Sequence, residues 1–153
     1  MKPLYKLFYS FGITFGLNFI SKFFTDQGVK TWYLTLNRSF LTPPSYVFGL
    51  VWPTLYILMS YATYLIWKDQ KQITFPIIFY FGHLLLNVLW CYTFFALHNK
   101  ELSLAIIIIL LGAIGYLIHL FYQENKFAAY LLLPYFCWVS FATYLSLQIV
   151  LLN

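Results

Sequence analysis

His83, Asn87, Trp90 and Phe94 follow one another at intervals of four, three and four residues. That spacing brings side chains onto one face of an α-helix. The face carries an imidazole, a carboxamide, an indole and a phenyl ring, so it can exchange hydrogen bonds and also present flat apolar surface. Gly49, Trp52 and Tyr56 make a second such face, and Tyr135, Trp138, Ala142 and Leu145 a third. Packed inward with a gap between them, the three faces would enclose a flat, largely apolar cavity with a few polar anchors, the usual make-up of a small-molecule site. Packed without a gap, they would form an aromatic core. Both arrangements are compatible with the spacing.

Other chemistry lacks its constellation. His83 has no second histidine at i+3 or i+4, so a hydrogen-bonded histidine is expected there and a metal site is not. The acids Asp26, Asp69, Glu101 and Glu124 all fall at the boundaries of apolar blocks. No Ser-His-Asp or nucleophilic cysteine arrangement can be assembled, and no intramembrane acid suggests proton coupling. Cys91 and Cys137 lie inside apolar runs without CxxC or CxxH spacing, which predicts small buried apolar side chains.

The elements that must carry these faces follow from composition. The chain has 153 residues, 62% of them hydrophobic and 8% charged, against about 25% charged in soluble domains. Mean hydropathy is +0.77. Such a chain cannot cover a water-facing surface, so lipid is the solvent for most of it. The charged residues separate five apolar blocks of about 20 residues, the length that crosses the hydrocarbon core, at about 5–24, 44–67, 73–97, 102–122 and 127–152. Uninterrupted runs such as Ile106 to Leu111 do not alternate as barrel strands do. The expectation is an all-α, multi-pass integral membrane protein, one domain built as a bundle of five transmembrane helices. Three connections are short and charged. The fourth, 25–43, is long, contains Trp32, Tyr33, Arg38 and Pro43-Pro44, and is a possible lid.

The net charge of +5 is scattered, which excludes a nucleic-acid patch and suggests lysines at helix ends near lipid headgroups. Lys2, Lys6, Lys68, Lys71 and Lys126 on one side face Lys22, Lys30, Arg38 and Lys100 on the other, a small bias toward an inside N-terminus. The first block has no small-residue cleavage site after it and is read as a retained helix. Gly12 and Gly16 form a GxxxG face suited to close helix packing, either within the chain or as a dimer motif, and Gly112 and Gly115 thin one face of the fourth block. No internal repeat points to an inverted-repeat transporter. Pro43 and Pro44 suit a helix start, with Thr42 positioned to help cap it. Pro53 should bend the second helix and aim Trp52 inward.

Trp32-Tyr33, Leu36, Pro43-Pro44, Val47-Phe48-Gly49, Val51-Trp52 and Leu55-Tyr56 resemble the signature of the TspO/translocator protein family of tryptophan-rich sensory proteins. Met59, Ala62-Thr63-Tyr64, Trp67-Lys68, Asn87, Trp90, Phe94-Phe95, Leu133-Pro134-Tyr135, Trp138 and Phe141-Ala142-Thr143 continue it. The resemblance implies a five-helix bundle, commonly a homodimer in a bacterial membrane, that binds protoporphyrin IX or related tetrapyrroles with no further cofactor. The pocket it implies comprises Trp52, Tyr56, Asn87, Trp90, Trp138 and Ala142, with Tyr33 from the lid; Gly49, His83 and Phe94 lie on the same helical faces. Light- and oxygen-dependent porphyrin breakdown, with Trp52 and Trp138 as the oxidisable indoles, is the enzymatic alternative, and porphyrin or lipid transport a further one. The chain departs from the family at Arg38-Ser39-Phe40-Leu41, at Leu50 and in the acid-free run Ile106 to Ile109. A sterol motif is missing after Leu145, so sterol binding is not carried over.

Overall fold

A computed structural model describes residues 4–153. Lys2, which contributes to the expected orientation, lies outside them. Among the described residues there is no strand, and five helical spans are long and apolar enough to cross a membrane. They are α1 (Leu4–Lys30), α2 (Ser45–Trp67), α3 (Phe75–Cys91, extended by a wider turn Tyr92–Ala96), α4 (Lys100–Glu124), and α5 (Lys126–Leu131) continued by α6 (Leu133–Leu152). The all-α, five-span architecture agrees with the sequence reading.

Large apolar side chains face outward. Phe8, Phe19, Ile78 and Leu151 are all more than half exposed, as expected where lipid replaces water as solvent. The inner face of α1 is polar: Lys6, Ser10, Thr14, Asn18 and Ser21 are buried. Polar groups at membrane depth turn to the bundle interior because lipid offers them no partner. Gly12 and Gly16 therefore face outward. A Cβ added at either would meet nothing within 4 Å, so neither makes a close contact within the chain. Gly112 is likewise open, whereas Gly115 lets Phe136 of α6 approach to 3.6 Å from where a Cβ would stand.

Several boundaries differ from the expected ones. α1 runs six residues past 24, so the connection to α2, the candidate lid, is 31–44 and shorter than the expected 25–43. The extension is supported by a Lys22–Asp26 ion pair of 2.5 Å one turn apart and by Thr25 donating to the Ser21 carbonyl at 2.9 Å. Asp26 thus lies within a helix. The fifth span divides at Leu132: Pro134 has no N–H for the Tyr130 carbonyl, and its ring crowds it. Asn99 and Asn125 cap α4 and α5, accepting from Leu102 N–H at 3.0 Å and Ala128 N–H at 3.2 Å. Pro44 occupies the cap of α2 without a side-chain bond, so Thr42 does not cap it. α2 continues unbroken through Pro53 with Trp52 turned toward the bundle.

Two more expectations are corrected. Cys91 is buried, but Cys137 is exposed on the outer surface of α6; a cysteine is apolar enough for either side. Lys6 does not reach for headgroups. It is 8% exposed, and its ammonium donates to the carbonyls of Trp67 at 3.0 Å and Gln70 at 2.5 Å. It therefore satisfies carbonyls at the C-terminal end of α2, where the helix dipole favours a cation.

The core lies between α2, α3, α4, α5 and α6, with Met59, Ile77, Tyr80, Ile114, Leu117 and Phe121 fully buried. A second, smaller cluster of Cys91, Phe94, Phe95 and Ile149 joins the end of α3 to the lid. Its tightest contact is at Gly28, where a Cβ would lie 2.7 Å from Phe95 Cβ and 2.8 Å from the Phe95 carbonyl oxygen. Replacing Gly28 by Ala is expected to destabilise the fold by about 1–3 kcal/mol through overpacking. Gly12→Ala, made into open space, serves as the control. Thermal unfolding of the two variants in the same detergent checks the difference.

Candidate functional site

The three aromatic faces read from the sequence turn toward one another within the bundle. α2 lies mainly against α1 and α5 and touches α3 and α6 sparsely; the junction of its first half with those two helices is called the wedge below. Aromatic side chains bridge the wedge. Trp52 stacks on Tyr56 with centroids 5.6 Å apart and meets Trp138 of α6 edge to face at 6.4 Å. Phe48 meets the other side of Trp138 at 5.5 Å, and Phe15 of α1 meets Tyr56 at 5.8 Å. Trp52, Tyr56, Trp90 and Trp138 are each only half-buried, whereas Ala142, one turn from Trp138, is buried. Gly49 is exposed, with open space where a side chain would stand.

Beneath this cluster lies a polar floor. The Tyr80 carbonyl can only accept, so His83 Nδ1 carries the proton and donates to it. His83 Nε2 is then an acceptor, and the Tyr135 hydroxyl donates to it at 3.2 Å. Asn87 Nδ2 donates in turn to the Tyr135 oxygen at 3.5 Å. Both nitrogens of the imidazole are thereby occupied, and all three side chains are almost wholly buried. Two donors nearby are left over: the indole N–H groups of Trp90 and Trp138 are sealed from the surroundings and have no partner.

The lid meets the site from the α3 side. Trp90 stacks on Phe94 at 6.1 Å, and Phe94 contacts Trp32 at 5.0 Å and Tyr33 at 6.2 Å. Tyr33 thus stands on Phe94 and Phe95, away from Trp52 and Trp138. The Arg38 guanidinium lies 4.9 Å from its ring centroid, a cation–π contact. Trp32 also stacks on His98 at 4.7 Å, a residue in the left-handed region at φ 54°. Asn37 N–H donates to the Asn153 side-chain oxygen at 3.0 Å, and the Asn153 amide returns a bond to the Asn37 carbonyl at 2.9 Å. An open cavity of about 480 Å³ lies at the base of the lid beside Asn37, Arg38, Pro43 and Ser45.

The sequence-derived residues therefore fall into three linked groups. Trp52, Tyr56, Trp138 and Ala142 form the wedge, with Gly49 at its rim. His83 and Asn87 form the floor, and Trp90, Phe94 and Tyr33 connect to the lid. Tyr135 belongs to the third face by its spacing but is not among the expected site residues; its hydroxyl joins His83 to Asn87. Phe48 stands in the family signature without a role. Phe15 carries no signal at all, because α1 is apolar on three sides.

A family model described as the TspO/MBR family matches residues 10–152. The chain is 38% identical to a tryptophan-rich protein TspO of Archaeoglobus fulgidus over 97% of each chain. It is 35% identical to the human translocator protein over 82% of this chain and 76% of that one. A tryptophan-rich sensory protein of Cereibacter sphaeroides is 31% identical, covering 80% and 77% respectively.

Replacing Tyr135 by Phe would leave His83 Nε2 buried without its donor. Such an orphaned acceptor costs about 1–3 kcal/mol. Chemical denaturation in micelles is expected to show a loss in that range for Tyr135→Phe, and no comparable loss for Tyr144→Phe on the exposed side of the same helix.

Proposed function

The chain belongs to the TspO/MBR family, and we propose that this multi-pass integral membrane protein is a receptor or sensor that binds porphyrins, protoporphyrin IX or a related tetrapyrrole, in the aromatic wedge. Family membership supports the sensor or receptor role. One observation carries the ligand class: the Trp90 and Trp138 indole N–H groups are buried without partners beside half-buried ring faces. A buried donor without an acceptor is costly. A flat ligand that stacks on indole and also carries acceptor atoms would satisfy both features at once, and a tetrapyrrole does so through its macrocycle face and its acidic side chains. The sparse contact of α2 with α3 and α6 supports opening of the wedge without disturbing the core. The Trp52–Trp138 pair supplies oxidisable rings, which keeps light-driven porphyrin breakdown as the alternative.

Protoporphyrin IX titrated into the purified protein should quench tryptophan fluorescence saturably. Trp138→Ala removes both a wall and one orphan donor and is expected to weaken binding about tenfold, equivalent to about 1.4 kcal/mol. An unchanged curve would overturn the wedge as the site. Illumination in air separates the two readings: bleaching of the porphyrin that is faster with the protein, and slowed by Trp52→Phe with Trp138→Phe, marks an enzyme, whereas bleaching independent of those indoles marks a binder.

A further inference from the structure

The cavity at the base of the lid takes no part in the wedge or its floor. Its volume is about 480 Å³, and its polar lining is Asn37, Arg38, Ser39 and Thr42 of the lid and Ser45 at the start of α2. Each of these side chains can donate a hydrogen bond, and none of the lining residues is acidic. Two are partly engaged. Asn37 Nδ2 donates to the Leu152 carbonyl at 3.4 Å, and Ser39 Oγ accepts from Leu41 N–H at 3.2 Å, which leaves its own hydrogen to donate. Arg38 is held in place but not neutralised. Its guanidinium rests on the Tyr33 ring, and among the described residues it has no carboxylate partner. The two acids at the lid end of the bundle are already taken: Asp26 pairs with Lys22 at 2.5 Å and Glu101 with Lys100 at 3.1 Å.

A donor-rich cavity around an unneutralised guanidinium selects an anion, and the planar fork of arginine matches phosphate oxygens in pairs. The contact with Tyr33 holds that fork in advance, so less freedom is lost when an anion arrives. The surroundings of the cavity identify where the anion comes from. Phe40, between Ser39 and Leu41, is 93% exposed, and Leu41, Tyr46 and Leu50 are exposed beside it. Tyr46 and Leu50 stand four residues apart and share one outward face of α2, which runs from the cavity toward the hydrocarbon. A free anion in water gains nothing from such flanks. A glycerophospholipid gains from both parts, its phosphate on Arg38 and its acyl chains along Tyr46 and Leu50. The lining holds no acid to receive the ammonium of a choline or ethanolamine head, so an anionic head fits best. We propose that the base of the lid is a binding site for one anionic phospholipid, with Arg38 as the ligand of its phosphate and Thr42 and Ser45 as hydroxyl donors to it. Through Arg38 and Tyr33 the lipid would hold the lid to the bilayer. The site is independent of whether the wedge binds porphyrin.

Native mass spectrometry of the full chain in detergent, with no porphyrin present, tests this. The protein is titrated with dioleoylphosphatidylglycerol and, separately, with dioleoylphosphatidylcholine. The first phosphatidylglycerol is expected to bind several-fold more tightly than phosphatidylcholine. Arg38→Gln should weaken it about tenfold, the loss expected for a charge-assisted hydrogen bond, and abolish the preference. Arg38 is exposed, so this change leaves the core intact. Lys30→Gln removes the same charge from the exposed end of α1 and is expected to leave the affinity nearly unchanged, because attraction at longer range is screened. Thr42→Val takes away one hydroxyl and should give an intermediate loss, which reads the site without touching Arg38. Excess inorganic phosphate is expected not to displace the lipid. Equal affinity for the two lipids, an unchanged affinity in Arg38→Gln, or an equal loss in Lys30→Gln overturns the proposal. Displacement by inorganic phosphate also overturns the lipid site and assigns the cavity to a free anion.

Discussion

Lipid offers a polar group no hydrogen-bond partner, and most of this molecule is arranged around that constraint. A buried polar side chain can draw its protein partner only from within the bundle. The inward face of α1, the Lys6 ammonium at the end of α2 and the file from Asn87 through Tyr135 and His83 to the Tyr80 carbonyl are three answers to the same demand. They also give the bundle its register. An all-apolar helix in lipid could rotate at little cost, whereas turning α1 by half a turn would put Lys6, Ser10, Thr14, Asn18 and Ser21 into hydrocarbon together.

The same demand separates the stiff part of the molecule from the part that can move. Helices α3, α4 and α6 share a core of fully buried side chains with the polar floor at its centre. The lid half of α2 has no comparable hold on α3 or α6 and meets α6 mainly through Phe48, Trp52 and Trp138. Ring-on-ring contacts of this kind are worth about 0.5–1.5 kcal/mol each beyond burial, and a flat aromatic molecule can replace them one for one. A wedge closed by such contacts can exchange its occupants more cheaply than one closed by buried hydrogen bonds.

The spans and the faces are legible in the sequence because each rests on a short-range rule. Charges mark helix ends, and side chains three or four residues apart share a face, so α2 and α4 begin and end within two residues of the expected positions. What the sequence hides depends on long-range contact. α1 continues past 24 because Gly28 seats on Phe95 of another helix. Lys6 is buried because the end of α2 arrives beside it, and a lysine near a helix end reads from sequence as a headgroup ligand. Which face of α1 turns inward is available in principle from Ser10, Thr14, Asn18 and Ser21 at helical spacing, but the GxxxG pattern on the other side is the more familiar packing signal and does not mark a contact within the chain.

The lid shows how the two clusters are joined. α3 ends in a wider turn, with Leu97 N–H bonded to the Tyr92 carbonyl at 3.0 Å. Turns of this kind insert an extra residue and recur at functional sites. Here the turn carries Phe94 and Phe95 together, both buried. Phe94 takes Trp32 and Tyr33 of the lid on one side and Trp90 on the other, so the lid and the indole beside the wedge share one ring between them. Asn153 and His98 hold the lid at two further points. Trp90, Phe94 and the Trp32–Tyr33 pair thus form one unbroken run of ring contacts from the wedge to the α1–α2 connection, standing outside the shared α3–α4–α6 core.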